Sequence, residues 1–198
     1  MLPGCANLLD VADVIYGFPF KSDRFKTDGI GTPVIRIRDI PNGETATLTE
    51  EHADAKYVVS DGEILVGMDG NFHMAMWSAG RAYQNQRVAR FISKGRIGNH
   101  HLFLALAGPI QLFNSTIVGT TVSHLGHSHI KTIQIVLPGN GLLGDMTQKF
   151  EPLAEMQLNL KKRNRVLRRT RDMLLPKLIS GEVNVSELGI AVPEEAEA

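Results

Sequence analysis

The chain has a single cysteine, Cys5, in 198 residues. An internal disulfide is excluded, and so is a zinc site built on paired cysteines. A reducing, cytoplasmic setting is the default expectation. No apolar run is long enough to cross a bilayer, so no membrane association is expected. The opening MLPGCANLLDVADV lacks the charged-then-apolar order of a signal peptide. Charge of either sign is not in excess: 21 basic side chains face 21 acidic ones. A domain that grips nucleic acid by bulk charge is usually basic, so any such grip here must use local patches or share charge with partners. Signs of chemistry are also missing. There is no GxxxxGK[ST] phosphate loop, which argues against an ATPase motor. No Asn-Pro-Pro-aromatic or Asp-Pro-Pro-aromatic run for adenine methylation occurs. Asp61 and Glu63 lie close, but Leu65 stands where a nuclease core places lysine. No Ser/His/Asp or Cys/His arrangement calls for a nucleophile. The expectation is a non-catalytic protein with no cofactor of its own.

What is present is segregated along the chain. Acids such as Glu50, Glu51, Asp54 and Asp61 dilute the first half. The stretch Lys161–Lys177 instead carries Lys161, Lys162, Arg163, Arg165, Arg168, Arg169 and Arg171 against one acid, Asp172. Leu153, Leu160, Leu167 and Leu174 recur every seven residues, a heptad seam that Met146 and Phe150 extend toward the N-terminus. This pattern predicts a helix over 143–175, about 50 Å long. Pro176 predicts a break or kink, followed by one more turn over Lys177–Ser180 that Gly181 stops. Gln157, Asn164 and Arg171 occupy the other core position, where polar groups weaken a coiled coil but fix its register. A helix with such a stripe needs another helix, so dimerisation is expected through Met146, Phe150, Leu153, Leu160, Asn164, Leu167 and Leu174.

The first 140 residues read differently. Asn7 caps a short helix over Leu8–Asp13. Short strand-like runs follow at Val14–Tyr16, Pro33–Ile37, Tyr57–Val59, Ile64–Val66, Arg87–Ile92 and Ile130–Leu137, separated by many glycines. His100–Ala107 reads as a helix, and Pro138-Gly-Asn-Gly141 as the hinge to the long one. The expected fold class is α+β: a β-rich globular domain over 1–140, a long coiled-coil-forming helix over 141–182 and a fraying acidic tail over 183–198.

Three stretches carry a family resemblance through their order and distances. The first is Gly17–Phe25, GFPFKSDRF, followed by Pro33–Ile40, PVIRIRDI. The second is Asp61–Phe72, DGEILVGMDGNF, followed by Asn85–Phe91, NQRVARF. The third is Gly119–Pro138, GTTVSHLGHSHIKTIQIVLP, leading to Leu174–Val185, LLPKLISGEVNV. Together they resemble the specificity subunit of type I restriction–modification enzymes over nearly the whole chain. The resemblance implies a target-recognition domain that reads half of a split site in double-stranded DNA. It also implies a spacer helix that docks methyltransferase and, through the complex, motor–nuclease subunits. Those partners use S-adenosylmethionine and ATP respectively. Such subunits hold two recognition domains and two helices, whereas this chain is similar to half of one. A homodimer with paired helices would restore the arrangement and demand a palindromic split site.

Within that frame, Asn71 and His73 sit on a turn-flanked loop and are expected to meet base edges. A plain surface hairpin is the alternative. Arg81, Tyr83, Gln84, Gln86 and Arg87 follow closely. Lys21, Ser22, Arg36 and Arg38 supply further donors, the two arginines on one strand face by their period of two. Thr121, His124 and His127 complete the expected DNA-binding set. His124, His127 and His129 also invite a rival reading as a metal-dependent hydrolase. No HExxH helix supports that, and a turn with solvated or DNA-facing histidines is favoured. A third reading is an orphan dimeric DNA-binding regulator.

Overall fold

The computed structural model describes residues 4–117 and 123–185, side chains at 140 and 141 excepted. It divides into two units, Met1–Asn159 and Leu160–Ala198. The first unit is built on a four-stranded antiparallel sheet of β2 (Ala12–Tyr16), β9 (Val88–Ser93), β6 (Ile64–Gly67) and β7 (Met74–Met76), in that order. A second sheet has the order β4 (Leu48–Thr49), β3 (Thr32–Ile35), β8 (Ala82–Gln84), β5 (Val58–Val59). A ribbon pairs β1 (Gly4–Asn7) with β10 (Gln134–Leu137).

The central strands are buried on both faces, and the alternation of side chains sorts them between two cores. Ile64, Val66, Ala89 and Phe91 point to one side. There they meet Leu8 and Val11 of α1 (Leu8–Val11), Leu102, Leu106 and Ile110 of α2 (Asn99–Thr116), and Ile135 and Leu137 of β10. Leu65 and Val88 point to the other, where they meet Ile35, Val59, Trp77 and Ala82 from the region of the second sheet. Double burial explains why ILVG and VARF read as nearly continuous apolar runs. A third, aromatic cluster joins Phe18, Phe20, Tyr57 and Tyr83 at the second sheet.

Gly17 has a specific reason to be glycine. The chain leaving β2 crosses the backbone of the β8–β9 turn, with Gly17 N–H donating to Val88 O at 3.1 Å and Phe18 N–H to Gln84 O at 2.9 Å. A Cβ on Gly17 would lie 2.0 Å from Asn85 O. Gly17→Ala must therefore push two backbone segments apart. A loss of about 2 kcal/mol is expected, within the range for overpacking. Chemical denaturation of the variant checks this.

Several sequence expectations need correction. Arg36 and Arg38 do not share a strand face: β3 ends at Ile35, and a 3-10 turn follows over Ile37–Asp39. Arg36 closes that turn, its Nε and terminal nitrogen donating to Asp39 at 3.0 and 3.1 Å. The expected strand over Ile130–Leu137 begins only at Gln134, because α3 (His127–Ile130) turns the chain first. Helix α2 continues past Gly108-Pro109 to Thr116, since Ile110 and Phe113 prolong its apolar face into the core. The long helix α4 spans Asn140–Ile179 and passes through Pro176 without the expected break. Pro176 has no N–H for the carbonyl of Asp172, four residues back, but near an exposed helix end water takes that place, which lowers the cost of keeping the helix. Gly181, at φ 73°, stops it as expected.

The boundary between the two units falls inside α4 rather than at its start. In the first unit, Leu143 of α4 packs on the main core and Ala154 is buried. Met146 and Phe150 line a cleft of about 400 Å³ with Leu104 and Pro109 of α2 and Val136 of β10. In the second unit, Leu160, Leu167 and Leu174 are 47%, 65% and 43% exposed in the single chain. Among the described residues, no helix is long and apolar enough to cross a membrane.

Candidate nucleic-acid interface

Three chain segments converge at one end of the central sheet. The first is the β6–β7 turn, residues 68–73, closed by Gly67 N–H donating to His73 O at 2.9 Å. The second is the β8–β9 turn, where Val88 N–H donates to Asn85 O at 2.9 Å. The third is residues 123–125, which run antiparallel to the first. Leu125 N–H donates to Met68 O at 2.8 Å, and Gly70 N–H to Ser123 O at 2.9 Å. Met68 N–H in turn donates to Arg87 O at 2.9 Å, tying the first segment to the second.

Phe72 anchors the first turn. Its ring is buried in the main core, and its N–H donates to Asn114 Oδ1 of α2 at 2.7 Å. Inward Phe72 forces its neighbours Asn71 and His73 outward, where both are exposed. Gln86 and Arg87 are exposed on the second turn, and His124 on the third segment. Asp69 binds the group together. Its Oδ1 accepts from His124 Nδ1 at 2.6 Å and its Oδ2 lies 3.3 Å from Arg87 Nε. Because a carboxylate can only accept, Nδ1 of His124 carries the proton. Nearby, the Tyr16 hydroxyl at the end of β2 shares a 3.0 Å hydrogen bond with His127 Nδ1. Partial burial pushes that hydroxyl above its ordinary pKa, so it stays protonated at neutral pH.

The structure thus gathers Asn71, His73, Gln86, Arg87 and His124, with His127 bonded to the adjoining end of β2. Arg36 follows β3 at the second sheet, where Asn85 N–H donates to Ile35 O at 3.1 Å, and Arg38 is exposed one turn on. Lys21, Ser22 and Arg81 are exposed, but no hydrogen bond or ion pair joins them to this group among the described residues. Thr121 lies outside the described residues. Tyr83 and Gln84 turn inward. Tyr83 is buried against Phe20, its hydroxyl 3.4 Å from Ala53 N. Gln84 is fully buried, its amide nitrogen donating to Ile15 O at 2.7 Å and Val88 O at 2.6 Å. β8 lies between β3 and β5 with both faces covered, Tyr83 by the aromatic cluster and Gln84 by the backbone of β2 and β9, a position the sequence alone did not reveal.

The three histidines do not converge. His124 serves Asp69, His127 bonds Tyr16, and His129 Nδ1 accepts from Gly126 N–H at 3.1 Å. Among the described residues, no three His, Cys, Asp or Glu side chains are grouped to hold a metal ion. Asp69 and Asn114 are the members of the site that sequence reasoning missed. Asp69 lies in the DGNF stretch, and no local pattern pairs it with Arg87 or His124.

The specificity subunit of the type I restriction enzyme EcoBI from Escherichia coli is 29% identical over 178 residues, covering 87% of this chain and 38% of that protein. The HindI specificity subunit from Haemophilus influenzae is 25% identical over 188 residues, covering 89% of this chain and 40% of its own length. The chain therefore spans well under half the length of these relatives. Its fold is shared by the type I restriction–modification S subunit from M. genitalium, with a TM-score of 0.63 at 14% identity, over 90% of this chain and 46% of that one. The HsdS subunit from Thermoanaerobacter tengcongensis matches with a TM-score of 0.58 at 14% identity, over 91% of this chain and 46% of its own. Residues 6–141 match the type I restriction modification DNA specificity domain, and the chain belongs to that family.

Proposed function

We propose that this chain is a non-catalytic reader of one half of a split DNA target. In this reading it dimerises through α4 to address a palindromic bipartite site, and the helix docks modification subunits. Double-stranded DNA, methyltransferase subunits and, through the complex, a motor–nuclease subunit are its partners. The observation that carries the reading is the convergence of exposed Asn71, His73, Gln86, Arg87 and His124 in a domain of the DNA specificity family. These side chains offer amide, imidazole and guanidinium groups, which suit adenine, guanine and phosphate. A near-neutral chain still grips DNA when partners close around the duplex and add phosphate contacts.

The roles divide by position. Asn71→Ala, His73→Ala or Gln86→Ala is expected to change which bases are selected, at about 1–3 kcal/mol for each lost base contact. Lys161→Ala or Arg168→Ala, on the basic flank of α4, is expected to weaken assembly or binding evenly across sequences. Its salt dependence should be shallower where a phosphate was the partner. The measurement is binding of the complex with modification subunits to a panel of single-base target variants at two salt concentrations. Helix changes that reshuffle base preference, with loop changes that lower all targets equally, would reverse this assignment.

A further inference from the structure

We infer that Asp69 is a specificity-determining positioning residue, which presents Arg87 to a guanine in the major groove. The inference rests on the DNA-reading role proposed above and goes beyond it by naming one base and the group that aims at it.

The argument starts from the arginine. Arg87 is half-exposed, on a turn outside the sheet. A free arginine side chain carries large rotamer entropy and loses much of it on forming a planar two-bond contact. A carboxylate at the inner side of the guanidinium removes part of that cost beforehand. Asp69 holds that place, with Oδ2 3.3 Å from Nε. A carboxylate at Nε leaves the outer edge, formed by the two terminal nitrogens, for a second planar acceptor. The O6 and N7 atoms of guanine match that edge, and arginine on guanine is the commonest specific contact in the major groove. A phosphate also accepts from arginine, but it carries no sequence information.

Asp69 is itself held through side chain and backbone by the His124 segment. Its other oxygen accepts from His124 Nδ1 at 2.6 Å, and its backbone pairs antiparallel with the His124 segment. The carboxylate is 28% exposed, so water screens it only in part. The Asp69 carboxylate, anchored by His124, thus stands behind the Arg87 guanidinium. An acid on a DNA-reading surface repels phosphate, so its presence there favours a role other than backbone contact. Placed behind an arginine, it orients the cation while the base, rather than the phosphate, meets the outer edge.

The test uses the full chain in complex with its modification subunits and a randomised duplex DNA library, with bound sequences read out. Wild type is expected to select a split site containing at least one guanine that depends on Arg87. Asp69→Asn keeps the shape but removes the charge. It should relax selection at that guanine about five- to tenfold while other positions hold. Arg87→Gln, an exposed change that leaves the core intact, should relax the same position. The double variant should be no worse than Arg87→Gln alone, because Asp69 acts through the arginine. The salt slope should not change in Asp69→Asn.

Relaxation at a different position, or an even loss at all positions, overturns the inference. So does an additive double variant. If Asp69→Asn does not fold, His124→Gln replaces it, with a smaller relaxation expected at the same guanine and refutation if none occurs. If Asp69→Asn and Arg87→Gln leave a sequence-selective wild-type pattern untouched, this inference fails and DNA reading stands. If wild type selects no sequence at all, the DNA-reading role fails and the inference falls with it.

Discussion

Leu160→Asp combined with Leu167→Asp is expected to convert the proposed dimer into a folded monomer. Both leucines lie on α4 and are 47% and 65% exposed in the single chain. They belong to a run of leucines at heptad spacing that ends at Leu174, itself 43% exposed. Exposed leucines in a row cost solubility unless something covers them. A second copy of the same helix presents a matching row. Removing two leucines from each protomer forfeits on the order of 6 kcal/mol of apolar burial, at roughly 1.5 kcal/mol each. That is about four orders of magnitude in Kd. Each aspartate would add an unpaired charge to the seam. Light scattering of wild type and variant at tens of micromolar measures the outcome, with far-UV circular dichroism to confirm helix retention. A wild-type monomer at that concentration would sink the dimer claim.

The same helix shows what the sequence could and could not tell. Heptad spacing and a basic flank made α4 legible to within a few residues at each end. Its division of labour was not. Met146 and Phe150 continue the leucine row in sequence, yet they line the cleft against α2 and β10. Periodicity reports a helical face but not which neighbour covers it. The strands tell a similar story. Ile64–Val66 and Arg87–Ile92 were readable as apolar runs, and β6 and β9 fall there. Strands β1, β4, β7 and β8 were missed. Each has at most four residues, which leaves little room for an alternating pattern.

Missing β8 had a consequence for the site. Gln84 and Tyr83 look like exposed polar and aromatic readers beside Gln86 and Arg87, but β8 is paired on both edges and covered on both faces, which buries the two. The exposed part of the site was legible because turn residues mark it. Asn71 and His73 flank a phenylalanine in a glycine-bounded loop. Asp69 was not legible, since its partners come from two distant segments and only the tertiary fold unites them.

Arg90→Ala is expected to destabilise the globular unit by about 3–5 kcal/mol, the cost of breaking a buried ion pair on one side. The residue stands in the middle of the apolar strand VARFIS and looks anomalous there. Its side chain is 5% exposed. Pointing away from the main core, it reaches toward the second sheet. One terminal nitrogen donates to Glu63 Oε2 at 2.8 Å and also to Val58 O, and the other donates to Lys56 O at 2.5 Å. Arg90 therefore ties β9 to the backbone that leads into β5. Truncation leaves the Glu63 carboxylate, 19% exposed, without its cation, and strips a donor from two carbonyls. The control separates charge from packing. Arg90→Met keeps most of the volume but leaves Glu63 unpaired, whereas Arg90→Met with Glu63→Gln removes both charges. The double variant is expected to be more stable than Arg90→Met alone, because no uncompensated charge remains near the core. Urea unfolding followed by fluorescence of the buried Trp77 reads the midpoint of each variant. A double variant no more stable than Arg90→Met would show that the ion pair is not what makes Arg90 matter. The contribution of Arg90 would then rest on its contacts with the carbonyls of Val58 and Lys56.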